Sequence, residues 1–398
     1  MATTTPMPTA EFSRSRLIPA AILAIFVYGL IAAVLGTLQP ELQQRFTPDQ
    51  NGTIAFMQAL GLIVASLSIG PIIDNKGKKA GLVTGFILIT AAMFMIANLG
   101  SYGFVMAIFL LLGLGGGMIV TGANALVSDI SEQRRGTVLN LLNLFFGLGG
   151  FATPMLGSKM GTTALCYLVA SLAGATLLLH IATPMPPPSG ERGFQFAAAR
   201  RLLGRPALFL LSLFLFLYVS CEVGVWNWLA AHLVAQGVTK ATALRIVSVG
   251  FALGLLIGRV VVAPILIRVA APTVTLFAAI FMAITTYAML QTTSSFAAGI
   301  AAFCAGLAMA PVFPTTLAMV GDAFPRATAT AMGIAITSGW IGLAVSSRII
   351  GGIAGADATR LKTALLVIPI FSVLMIIVNL ILRPLLKKSA TGLQPLQT

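Results

Sequence analysis

Charge is what this chain has least of. Only 9% of its 398 residues are Asp, Glu, Lys or Arg, and just ten are acidic. A soluble domain carries about 25% charged residues. A surface this poor in charge is not dressed for water, and the mean hydropathy of +0.99 says the same. Histidine and cysteine are as scarce, at two and three. His180 and His232 stand far apart, and Cys166, Cys221 and Cys304 lie in apolar runs without metal-ligand spacing. Clustered nucleophiles, paired acids and metal ligands are missing, so the composition argues against an enzyme and against a resident cofactor. The short alternating segments of a membrane barrel are missing too. So is a basic, apolar and small-residue leader at the N-terminus.

What is present is a series of long apolar runs. Twelve spans are expected, at 18–39, 51–73, 79–98, 102–127, 136–158, 160–181, 206–235, 241–268, 272–292, 295–320, 325–352 and 361–386. Runs of about 20 residues cross a hydrocarbon core of roughly 30 Å. Backbone groups in lipid must be satisfied within the chain, which leaves helices. The fold class expected is therefore all-α integral membrane, with the bilayer as solvent.

The net charge of +14 invites a nucleic-acid reading, but its placement argues otherwise. With the N-terminus in the cytoplasm, sixteen of the 24 basic residues fall on the cytoplasmic side and six outside. Arg259 and Arg348 lie within spans. This is the positive-inside bias that orients membrane proteins. It places both termini in the cytoplasm and leaves no nucleic-acid partner. Residues 1–17 are read as a disordered N-terminus, 18–181 as a six-helix bundle, 182–205 as a cytoplasmic linker, 206–386 as a second bundle and 387–398 as a tail. The linker follows from Thr183-Pro-Met-Pro-Pro-Pro-Ser189 and the basic run Arg192 to Arg205, because proline ends a helix and polar residues stay in water.

The halves echo each other. Gly113-Leu114 precedes Asp129 by sixteen residues, Gly306-Leu307 precedes Asp322 by sixteen, and the two sets are offset by 193. Each acid ends the fourth span of its half, before Arg134 and Arg135 or before Arg326. The loop Gly70-Pro-Ile-Ile-Asp-Asn-Lys-Gly-Lys-Lys79 joins spans 2 and 3. Its Gly, its Asp four residues on, and its later Gly with a basic pair resemble the loop between helices 2 and 3 of major facilitator transporters. The resemblance implies twelve transmembrane helices in two pseudo-symmetric six-helix halves, alternating access about a midplane site, and a small-molecule substrate. It also implies that Asp74, Lys78, Lys79, Asp129, Arg134, Arg135, Asp322 and Arg326 act as gating residues at the cytoplasmic ends. The partner of the Asp74 loop in the second half is expected at Gly258-Arg259 through Arg268.

Of the ten acids, only Glu222 lies well inside a span. An intramembrane carboxylate is costly and faces a cavity or a partner. A low-dielectric setting disfavours its charged form, which makes it a group able to bind and release a proton. It binds a proton or substrate hydroxyls, or it forms a structural ion pair with Arg259 or Arg348. Around it runs Tyr218-Val-Ser-Cys-Glu-Val-Gly-Val-Trp-Asn-Trp228. Trp226 and Asn227 suit a sugar, whose C–H face stacks and whose hydroxyls hydrogen-bond. Trp228 is either a second such ring or part of an interfacial belt. Asn124, Asn140 and Asn143 bind hydroxyls or bond helix to helix; Gln58, Gln39 and Tyr28 are weaker candidates, and Trp340 is a further stacking ring. The glycines of spans 4 and 5 read as close helix packing, since no strand precedes them and no Lys-Ser follows.

The span 7 pattern Tyr-Val-x-x-Glu-x-x-x-Trp resembles the fucose–galactose–glucose:proton symporter family. So do Gly258-Arg259, Ala310-Pro-Val-Phe-Pro-Thr-Thr316, Thr121-Gly-Ala-Asn124 and Leu139-Asn-Leu-Leu-Asn143. The resemblance implies a monomeric monosaccharide carrier of the bacterial inner membrane, with H+ as the coupling ion. Members carry acids in spans 1 and 4. Here span 1 has Gln39 and Glu41 at its outer end, and Val120 stands at the span 4 position, so proton coupling either falls to Glu222 or is absent, which leaves a uniporter or a sodium-linked carrier open. Two rivals share the fold. A proton-driven drug or metabolite exporter would carry a glycine and proline pattern in span 5 that Gly149, Thr153-Pro154 and Gly157-Ser158 match only in part. An organic-anion carrier would use Arg259 or Arg348.

Overall fold

The computed structural model describes residues 14–97, 100–130, 135–185, 202, 204–324 and 328–390. Among them every long element is a helix. The spans are 1 (Arg16–Leu42), 2 (Pro48–Lys76), 3 (Lys78–Ile96), 4 (Tyr102–Ile130), 5 (Arg135–Gly157) and 6 (Thr162–Ala182) in the first half. The second half holds 7 (Pro206–Ala235), 8 (Lys240–Arg268), 9 (Ala271–Gln291), 10 (Ser295–Ala323), 11 (Thr328–Ala354) and 12 (Ala358–Leu386). Eleven of these are long and apolar enough to cross a bilayer, and span 5 contributes the shorter apolar stretch Leu142–Gly157. Residues 1–13 of the expected N-terminal tail and most of the linker lie outside the described residues, while residues 14–17, expected in that tail, already belong to the first helix, Arg14–Ala32.

Four spans are not plain α-helices, and the sequence explains two of them; span 12 opens on a 3-10 turn, Ala358–Arg360, and is interrupted at Leu366. In span 1 the helix is interrupted at Ala33. The Thr37 hydroxyl donates to the Ala33 carbonyl at 2.8 Å, a back-bond that bends helices. Span 10 breaks between Met309 and Val312, because Pro311 lacks an N–H and crowds the preceding turn. Span 8 carries a π-helical segment, Ile246–Ala252, the kind of irregularity that marks functional positions.

Within the first half, span 1 packs on spans 4, 5 and 6, span 2 on span 4, and span 3 on spans 4 and 6. The second half repeats this: span 7 on 10, 11 and 12, span 8 on 10, and span 9 on 10 and 12. The halves meet where span 2 packs along span 11, span 5 along span 8, and span 1 across span 7. The internal repeat extends to single contacts. A Cβ on Gly113 would lie 2.0 Å from the Gln58 carbonyl oxygen, and one on Gly306, 193 positions later, 2.1 Å from that of Phe251. Gln58 and Phe251 are themselves 193 apart. Only glycine permits such an approach of two backbones.

That register corrects one expectation. The partner of the Asp74 loop is not Gly258-Arg259, which lies inside the helix Leu253–Arg268. Gly77, at φ 81° between spans 2 and 3, corresponds at the same offset to Ala270, the N-cap of span 9.

Candidate functional site

One face of span 5 organises the middle of the molecule. Asn143, Phe146, Gly147 and Gly150 recur at helical spacing and so share a side. Each meets a different partner. The Asn143 carbonyl accepts from Arg259 Nη1 of span 8 at 2.9 Å. The Phe146 ring lies 5.4 Å from that of Tyr28 in span 1. A Cβ on Gly147 would meet Leu256 at 2.6 Å, and one on Gly150 would meet the Trp226 ring at 3.3 Å. Small residues at 147 and 150 are what let span 8 and the Trp226 indole approach this face.

Span 7 supplies the facing chemistry. Tyr218, Glu222 and Trp226 follow one another a turn apart on one side. Tyr218 is buried and its ring lies 6.4 Å from Phe313 of span 10. Glu222 is half-buried. Span 7 carries the Glu222 carboxylate and span 8 the Arg259 guanidinium. They are not joined: among the described residues no ion pair links Glu222 to Arg259 or Arg348. Trp226 meets Phe251 edge-on at 5.1 Å between ring centres. Its backbone crosses Gly36 of span 1 so closely that no side chain fits there.

Chemically, the arrangement offers one carboxyl without an ion pair, one guanidinium and several ring faces at the seam between the halves. Arg259 spends Nη1 on a backbone carbonyl, while its Nε is buried without a partner among the described residues. The structure places Arg259 beside Asn143, across the seam.

The other expected site residues are more scattered. Asn143 is exposed, and it meets Arg259 through its backbone carbonyl. The Asn124 amide donates to Val120 of its own helix at 2.8 Å. Asn227 is only 2% exposed, next to the crossing with Gly36. Trp340 is half-buried in span 11 with its indole N–H unpartnered. Trp228 is fully buried, which rules out the interfacial belt. Among the expected gating residues, Lys79 donates to the Ile181 carbonyl at 2.6 Å, holding the C-terminal end of span 6 within its own half. Lys78 is buried and Asp322 exposed. The side chains of Asp74, Asp129, Arg135 and Asn140, and the whole of Arg134 and Arg326, lie outside the described residues.

Sequence reasoning missed the polar contacts that join the halves at the opposite end. Lys240 Nζ of span 8 pairs with Glu41 Oε1 of span 1 and donates to Thr162 Oγ1 at 3.1 Å. Arg348 pairs with Asp49 Oδ1 at 3.3 Å, donates to the Asp49 carbonyl at 3.2 Å, and also bonds the Thr53 hydroxyl. The Asp49 N–H donates to the Gly355 carbonyl at 3.0 Å. Arg348 is therefore occupied and is not an open anion site. The one available signal was that Glu41, Asp49 and Lys240 all flank span ends on the same side.

Residues 17–244 match the family described as Major Facilitator Superfamily. Among curated relatives, the 4-hydroxybenzoate transporter PcaK of Pseudomonas aeruginosa is 28% identical over 38% of this chain and 36% of its own length. The inner membrane metabolite transport protein YgcS of Escherichia coli is 28% identical over 45% and 42%. The MFS-type transporter pytF of Aspergillus terreus is 25% identical over 38% and 53%. The chain thus spans about half the length, or less, of these relatives. Two solved structures share the fold at 14% identity. The D-xylose-proton symporter gives a TM-score of 0.75 over 92% of this chain and 97% of that one. The nucleoside transporter NupG gives 0.73 over 93% and 98%.

Proposed function

This chain belongs to the Major Facilitator Superfamily, and we propose that it is a secondary transporter that carries a small polar solute, a monosaccharide, by proton symport. The solute binds at the seam between the halves, and rocking of one half against the other exposes it to each side in turn. The carrying observation is Glu222: a half-buried carboxyl at mid-span, with no ion pair among the described residues to neutralise it. A charge so placed is expensive in a membrane, and a proton is the cheapest neutraliser. Glu222 takes the proton; the Trp226 and Trp340 rings stack the sugar; Asn124, Asn143 and Asn227 serve its hydroxyls. The short patterns shared with the fucose–galactose–glucose family support this reading. So does the likeness in fold to a xylose-proton symporter. The setting is a bacterial inner membrane, with a monomer whose termini face the cytoplasm.

A second reading has its own observation. The buried, unpartnered Nε of Arg259 is a donor in wait of an acceptor, and a carboxylate supplies one. Relatives named as 4-hydroxybenzoate transporters make an aromatic acid the anion to try. The test is uptake into proteoliposomes of radiolabelled monosaccharides and of 4-hydroxybenzoate, with and without an inward proton gradient. Gradient-driven sugar accumulation, lost in Glu222→Gln while exchange persists, supports the first reading. Uptake of the aromatic acid alone replaces it with the second.

A further inference from the structure

On the outer wall of the second half, spans 8 and 10 part near the Glu41 end to leave an apolar groove of about 490 Å³. Its floor is where Gly250 and Gly299 lie against each other; a Cβ on Gly250 would be 2.9 Å from the Gly299 carbonyl oxygen. Val249, Phe296 and Ile300 form its walls and are all exposed, Phe296 by 80%. At its mouth stands Arg245, with the hydroxyl-bearing Thr242 and Ser295 beside it. Arg245 is exposed, and among the described residues no acid or hydrogen-bond acceptor is paired with it. In a membrane a hydrocarbon-lined slot ending at a free guanidinium is complementary to one class of molecule.

We propose that this groove is a binding site for an anionic phospholipid, with one acyl chain along Gly250 and Gly299 and the headgroup phosphate on Arg245. A phosphate accepts charge-assisted hydrogen bonds from a guanidinium, and basic positions at a membrane surface select anionic headgroups. The site bears on the carrier because its inner wall is the π-helical segment of span 8. Val249 and Gly250 face the lipid, while their neighbours face the seam: Ser248 Oγ donates to the Phe151 carbonyl of span 5 at 2.8 Å, and the Phe251 ring meets Trp226. A lipid seated on one side of that segment therefore buttresses the contact between the halves on the other side.

The experiment compares thermal unfolding of the purified full chain in nanodiscs of phosphatidylcholine alone and of phosphatidylcholine with a minority of phosphatidylglycerol. Native mass spectrometry of the same samples counts retained phosphatidylglycerol. The expected result is a higher midpoint with phosphatidylglycerol and one retained molecule. Arg245→Gln lowers the preference for phosphatidylglycerol about fivefold. Gly299→Leu fills the groove and removes both effects; a Cβ at 299 meets nothing within 4 Å, so the helix accepts it, and Arg245→Gln decides alone if that variant does not fold. Equal midpoints in the two lipids, or a preference that survives Arg245→Gln, overturns the proposal. So does full stabilisation by inorganic phosphate in phosphatidylcholine, which would leave the groove without a role.

Discussion

Gly61 and Gly254 make the same contact 193 residues apart. A Cβ on the first would lie 2.4 Å from the Leu110 carbonyl oxygen, and on the second 2.2 Å from that of Phe303, itself 193 positions after Leu110. Spans 2 and 8 thus press against spans 4 and 10 in one register. Overpacking a tight core costs about 1–3 kcal/mol, and here the obstacle is backbone, which cannot swing aside. Gly61→Leu and Gly254→Leu should each lower the thermal midpoint in detergent sharply. Gly352→Ala, where the added carbon meets nothing within 4 Å, should raise stability by up to about 1 kcal/mol through helix propensity. A similar loss at all three positions would contradict this packing.

The Glu41–Lys240 pair is expected to hold its end of the seam closed. Its side chains are 29% and 30% exposed, and such a pair is worth up to about 1 kcal/mol, or about fivefold in population. With spin labels at the exposed positions Gln44 and Gln236, Lys240→Gln should enlarge the long-distance population by about that factor. The exchange Glu41→Lys with Lys240→Glu should restore the short one. Unchanged distances in the single variant would show that the pair does not set the equilibrium.

Arg348 is expected to behave differently, because it also holds the Asp49 carbonyl and the Thr53 hydroxyl. Asp49→Asn leaves those bonds in place, whereas Arg348→Gln removes the donor of all three. In the same distance measurement Arg348→Gln should open the seam more than Asp49→Asn. Equal effects would mean that the ion pair alone matters.

Arg259 separates the two substrate readings. Arg259→Gln should abolish uptake of an aromatic carboxylate by at least tenfold, since it removes the charge and the unpartnered Nε together. It should leave exchange of a neutral sugar within a few-fold of wild type. Loss of both in proteoliposome assays would assign Arg259 to the seam, through its bond to Asn143, rather than to the solute.

Much of this architecture was legible in the chain. Long apolar runs such as Pro206–Ala235 have to be helices in lipid, because the backbone has no other partner there. The repeat was visible in Gly113 and Gly306, since a close crossing selects glycine locally and leaves a mark in the sequence. Glu222 stood out for the same reason: a lone acid in an apolar run is conspicuous. The irregular segments were less readable. Pro311 announces its break, but the residues of the π-helical segment look like those of any apolar helix.

What only the tertiary structure decided is which polar groups meet. Glu41 and Lys240 are 199 residues apart, and Asp49 and Arg348 nearly 300. Hydrogen bonds and ion pairs act over about 3–4 Å, so the packing of whole helices determines the partners and no local pattern records them. The sequence determined that Glu41, Asp49 and Lys240 sit at span ends, where water tolerates them; the fold determined that Arg348 is spent on span 2 while Arg259 reaches across the seam to the Asn143 carbonyl.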